Sequence, residues 1–103
     1  MPKGKMTEKQ IEAKMCLMIK NRGGLALKFV SPNSPGVPDR IVITPSGEIW
    51  FVELKTLIGR LAPMQRFQTS ELQKRNARVR VIHGWEAARA FVDEIIPAKE
   101  AKQ

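Results

Sequence analysis

An α/β fold, one domain with a mixed central sheet flanked by helices, is what this sequence predicts, and three observations predict it. The chain has 103 residues, enough for one core about two layers deep and too few for two. Two apolar runs, "DRIVIT" and "EIWFVELK", flank Pro45-Ser46-Gly47 and read as a strand pair joined by a tight turn. Helical spacing precedes that hairpin and alternates with a short strand after it, which gives the order α-β-β-β-α-β-α. One domain is expected over 1–103, with its core at about 7–96 and no internal repeat.

Each element has its own signal. Thr7 can cap a helix with Gln10 answering three residues later; Ile11, Met15, Met18 and Ile19 then recur on one face until Gly23-Gly24 stops the helix. "LALKFV" reads as a short strand, and "SPNSPGVP" as a loop, because its prolines and glycine permit neither regular element. The hairpin strands are apolar on both sides, the pattern of central strands covered twice. In "PMQRFQTSELQKRN" Met64, Phe67 and Leu72 fall at helical intervals behind a proline in the first turn. "RVRVIH" alternates basic and apolar residues like an edge strand, and Trp85, Ala88, Phe91, Val92 and Ile95 mark a last helix before a polar tail after Pro97.

Composition narrows function. Eighteen Lys and Arg against ten Asp and Glu leave a formal charge of +8, which draws the chain to polyanions, nucleic acid first. No run approaches the about 18 apolar residues of a membrane span, and Met1 to Lys9 lacks the apolar stretch of a secretory signal, so an intracellular protein with no membrane partner is expected. One cysteine and one histidine argue against a disulfide framework, a thiolate zinc site and a Ser-His-Asp triad. Cys16 and His83 read as structural, and Trp50, Trp85, Phe67 and Phe91 as core.

The chemistry concentrates in "GVPDRIVITPSGEIWFVELK". Glu53 and Lys55, two apart on a strand, share one side, and antiparallel pairing about the turn brings Asp39 to the same end, where the three charges should converge at a sheet edge. Two carboxylates at one point repel unless they share a proton or a cation. Mg2+ and Mn2+ prefer oxygen, so Asp39, Glu53 and the backbone carbonyl of Leu54 are the candidate ligands. Such an ion acidifies water and holds a scissile phosphate, and Lys55 would orient the water and offset the charge that develops. Lys28, Arg60, Arg66, Lys74, Arg75, Arg78 and Arg80 form the candidate phosphate-binding surface, a run with Glu71 as its one opposing acid between Lys55 and Arg80.

Pro38-Asp39 followed by Glu53-x-Lys55 resembles the signature of the PD-(D/E)xK nucleases, whose restriction-endonuclease-like core runs α-β-β-β-α-β, here with a C-terminal helix added. "GVPDR", "VELK" and "GRLAPMQ" together resemble more narrowly the virus-type replication-repair nucleases, the VRR-NUC family, over roughly Glu8 to Ile95. That resemblance implies catalytic roles for Asp39, Glu53, Lys55, Gln65 at the start of the second helix and Glu12 as the acid of the first. Ala62 departs from the small hydroxyl cap the family more often has there. The resemblance further implies a Mg2+- or Mn2+-dependent DNA endonuclease. Small stand-alone members of the family resemble Holliday-junction resolvases, which implies a homodimer cutting branched DNA, in the cytoplasm of a bacterial host if phage-encoded. Two alternatives stay open: a nuclease of flap, nicked or linear DNA, and a non-catalytic nucleic-acid-binding module on the same scaffold.

Overall fold

A computed structural model describes residues 6–98; the tail expected after Pro97 lies outside them from residue 99 onward. Seven elements follow in the predicted order: α1 (Glu8–Asn21), β1 (Leu25–Lys28), β2 (Arg40–Ile43), β3 (Ile49–Lys55), α2 (Pro63–Lys74), β4 (Val79–His83) and α3 (Gly84–Ile95). The α1 start is the expected reciprocal cap: the Gln10 amide N–H donates to Thr7 Oγ1 at 3.1 Å, and the Thr7 N–H donates to Gln10 Oε1 at 2.9 Å. Its end is the glycine stop, where the Gly24 N–H returns to the Ile19 carbonyl at 2.9 Å.

The sheet order is β1-β2-β3-β4, antiparallel except for the β3–β4 pair. Thr44 to Glu48 form the hairpin loop: the Gly47 N–H closes on the Thr44 carbonyl at 2.9 Å, with Gly47 at φ +94 where a side chain would be strained. β3 to β4 is a parallel crossover through α2, so β3 ends beside the start of that helix.

α1 and α3 pack together on one face, and the core lies under them: Ile11, Met15, Ile19, Val42, Val52, Leu54, Ile82, Ala88, Phe91, Val92 and Ile96 are all buried. Burying a large aliphatic or aromatic side chain is worth about 1.5–3 kcal/mol, so this layer holds the fold together. Trp50 packs edge-on against Phe91 at 5.3 Å, as a core residue. The opposite face differs from the expectation of strands covered twice. α2 packs there against β4, but Phe67, expected in the core, is 53% exposed, and Met64, one turn before it on the helix, is 45% exposed. Periodicity gives α2 an apolar side without giving that side anything to lie on.

Candidate active site

Continuing the β2–β3 register one step beyond Arg40↔Val52 sets Asp39 opposite Glu53, where cross-strand Cβ atoms are about 5 Å apart. The two carboxylates meet at the end of the two central strands, in the middle of the sheet rather than at the edge the sequence led us to expect. One step further, Pro38 falls opposite Leu54. Phe51 donates its N–H to the carbonyl of Arg78, just before β4, so by alternation Leu54 turns its backbone toward β2. A proline has no N–H to give it. Asp39, Glu53 and the Leu54 carbonyl therefore offer three oxygens at one strand end.

Glu53 is 6% exposed. Burial, then the Asp39 carboxylate and more weakly Glu8, push its pKa up to about 7, against the pull of Lys55. Lys55 Nζ stands 3.9 Å from Glu53 Oε2. Gln65 Nε2 donates to the same oxygen at 3.0 Å, and its Oε1 accepts the Ala62 N–H at 2.7 Å. That second bond restrains the amide and supplies half of a cap where Ala62 has no side chain to offer. Gly36 explains the closeness of these parts: at φ +90, a Cβ there would stand 2.4 Å from the Met64 carbonyl oxygen and 2.9 Å from the Gln65 nitrogen. Only glycine lets the loop before Asp39 lie against the first turn of α2.

The other expected residues are distributed unevenly. Glu12 is taken by Arg40, whose Nε donates to Glu12 Oε2 at 3.1 Å and whose Nη2 contacts the same oxygen. The helix-one acid whose charge reaches Glu53 is Glu8, one turn earlier. The sequence signal for Glu8 is its place four residues before Glu12, on the same helix side. Lys28 Nζ pairs with Asp39 Oδ2 at 3.3 Å. Arg60 follows Lys55 in the exposed loop before α2, and Arg66 folds its guanidinium onto the Leu61 carbonyl at 3.0 Å.

These three cations lie at the site's end of the sheet. Lys74 and Arg75 end α2, about 15 Å along the helix, and both pair with Glu71. Arg78 precedes β4 at the opposite end of the sheet. Arg80 points to the α3 face, where it forks onto Glu94 at 3.0 and 2.9 Å and lies over Trp50 and Phe91; it departs from the surface expected to contact phosphate.

Among the described residues no group of three or more His, Cys, Asp or Glu is gathered to hold a metal. The donor set is instead two carboxylates with one carbonyl, all hard oxygen, around a buried carboxylate short of positive charge, and it fits a hard divalent cation completed by water and phosphate. No described helix is long and apolar enough to cross a membrane.

Comparison with known proteins agrees with the fold. A solved structure described as a VRR_NUC domain superposes with a TM-score of 0.78 at 29% identity, covering 85% of this chain and 97% of its own. The phage protein "Putative nuclease p44" from Acyrthosiphon pisum secondary endosymbiont phage 1 is 45% identical over 58 residues, which are 56% of this chain and 62% of the relative's length. The VRR-NUC domain family matches residues 3–86, which take in α1, the strand pair with Asp39 and Glu53, Gln65 and all of β4. The chain belongs to the VRR-NUC domain family.

Proposed function

We propose that this domain is a Mg2+- or Mn2+-dependent endonuclease that hydrolyses phosphodiester bonds in DNA, acts as an intracellular homodimer, and takes branched DNA such as Holliday junctions as substrate. The observation that carries the reading is Glu53: a buried carboxylate facing a second one, with Lys55 and Gln65 on its Oε2. Asp39, Glu53 and the Leu54 carbonyl would hold the cation, which supplies an acidified water and a counter-charge for the phosphate.

Lys55 Nζ orients the attacking water and offsets charge building on the phosphate oxygens. Gln65 Nε2 fixes Glu53 Oε2 in place and can turn to a substrate oxygen. Lys28, Arg60 and Arg66 ring the same end of the sheet and can take phosphates, while the first turn of α2 adds its partial positive charge. Lys28 must then exchange Asp39 for the backbone when DNA arrives. Glu8 adds a third carboxylate within electrostatic reach, and we place it, rather than Glu12, beside the cation.

The test is cleavage of matched four-way junction, flap, nicked and linear substrates by purified protein with Mg2+, with Mn2+ and with chelator. Junction cleavage that needs the cation supports the reading. The Lys28–Asp39 pair favours a second reading, a binding module whose acids are satisfied by lysines. Binding without cleavage of any substrate in either cation would establish that one instead.

A further inference from the structure

We infer that the turn between β3 and α2 is a wedge: Ile58, backed by Leu57, enters the base stack of DNA beside the phosphate held at Lys55 and favours sites where stacking is already interrupted. This rests on the DNA site proposed above and adds to it a residue that selects the substrate. Lys55 ends β3, and the chain turns at once, the Gly59 N–H closing on the Thr56 carbonyl at 3.1 Å. The two residues at the tip are Leu57 and Ile58, 73% and 88% exposed. Turn tips are ordinarily Gly, Pro, Asn, Asp or Ser, which suit both the bend and the water around it. Nothing in the bend calls for two aliphatic side chains.

The tip is braced from behind. His83 Nδ1 lies 3.3 Å from the Thr56 carbonyl oxygen, and Arg66 Nη1 donates to the Leu61 carbonyl at 3.0 Å where the loop returns to α2. Leu57 rests on Gly84, where a Cβ would stand 3.2 Å from Leu57 Cδ1, and it lines a cavity of about 180 Å3 with Met6, Ile11 and Trp85. A Cβ on Gly59 would stand 3.3 Å from Lys55 Cβ, so the turn is folded tightly against the strand that carries the site. Ile58 is left as the most exposed large hydrophobic side chain among the described residues. A free apolar side chain on a braced support suits insertion between bases, because little ordering entropy remains to be lost.

Position and charge name the occupant. Ile58 follows Lys55 by three residues, so their Cα atoms are at most about 11 Å apart, the rise of about three base steps. Lys55 stands before the tip and the exposed Arg60 after it, so phosphates taken by the two bracket the wedge. A DNA strand with its phosphate at Lys55 passes the tip, and an aliphatic side chain there has the stack to enter. Leu and Ile are among the side chains that proteins insert between base steps to kink a duplex. Unstacking costs least where a nick, flap or junction has already broken the stack. The wedge therefore turns a break in stacking into a preference for that site.

The experiment places 2-aminopurine, a base whose fluorescence rises on unstacking, at each step beside the nick of a nicked duplex and at the same steps of an intact one. The full chain is titrated in chelator, where no DNA is cut, with anisotropy reporting binding. The wild type is expected to raise the signal severalfold at one step near the nick and to prefer nicked over intact DNA by at least about tenfold. Ile58→Met should keep both effects. Ile58→Lys should bind intact duplex at least as tightly through its added charge, and lose both; a thermal melt confirms that it folds. No saturable binding, binding with no rise at any step, or a rise that survives Ile58→Lys each overturns the wedge. So does a change in the mass of the DNA-free protein on Ile58→Lys, which would make the tip a protein contact. Cleavage with Mg2+ and Mn2+ keeps the two failures apart: a protein that cuts DNA without unstacking it refutes the wedge alone, and one that unstacks a base and cuts nothing refutes the nuclease alone.

Discussion

Glu94, on α3, and Glu53, on β3, lie over opposite faces of the sheet and meet their cations in opposite ways. Glu94 takes both arms of the Arg80 fork at 3.0 and 2.9 Å, and this holds its carboxyl below the usual range. Glu53 is buried, has Lys55 no nearer than 3.9 Å, and is driven the other way by burial and by Asp39. In a chain with eight surplus positive charges, leaving one carboxylate undercompensated is not for want of cations. Arg80–Glu94 is a closed, two-armed ion pair; Glu53–Lys55 leaves its carboxylate undercompensated, which is what the proposed cation site would require.

The widest separation of the two is expected in catalysis. Asp39→Ala, Glu53→Ala and Lys55→Ala should each lower the cleavage rate at least about 1,000-fold while leaving DNA binding within severalfold. Glu94→Gln should leave the rate within about threefold. Single-turnover cleavage and a filter-binding titration measure both, and a strong loss in Glu94→Gln would break the contrast.

The next effect is in stability against pH. Glu53 titrates near 7 when folded and near 4.5 when unfolded, so between those values the folded chain keeps a proton the unfolded chain has lost. Stability therefore falls as pH rises through that window. In chelator, Glu53→Gln should match the wild type near pH 4 and exceed it by on the order of 2–3 kcal/mol at about pH 8. Adding Mg2+ or Mn2+ should raise the melting temperature of the wild type and not of Glu53→Gln. Equal stability of the two proteins at about pH 8 would sink the claim that Glu53 is strained by its surroundings.

A smaller change follows at Gly36, where an added Cβ meets the α2 backbone rather than a movable side chain. Gly36→Ala should cost about 2 kcal/mol in denaturant melts and reduce cleavage by displacing Gln65. At the small end, Arg80→Ala should cost about 1 kcal/mol, chiefly through lost packing on Trp50 and Phe91. Thr69→Val should gain a similar amount, because the Thr69 hydroxyl is buried without a partner among the described residues. A thermal melt of each variant checks the signs.

The elements and the heart of the site were legible because they depend on local rules. The cap at Thr7, the Pro45-Ser46-Gly47 turn and period-two alternation fix where Asp39, Glu53 and Lys55 stand once the hairpin forms. What was not legible depends on how helices dock. Glu8 and Glu12 share a helix side, so spacing alone cannot say which of them meets Arg40 and which comes within reach of Glu53. Met15 and Met18 could equally have served an interface; the core takes Met15 fully and packs Met18 against it. Phe67 looked like core because periodicity records that a residue is apolar, while burial depends on what covers it.

Pro38 carries a lesson for engineering. A hairpin that presents two acids side by side could be built in many sheets, yet an ordinary amino acid before the aspartate would hydrogen-bond the facing carbonyl and remove it from use. In the proposed cation site the imino acid would thus serve the ligand set without touching the ion, and transplanting the arrangement to a new scaffold means carrying the ring along with the charges.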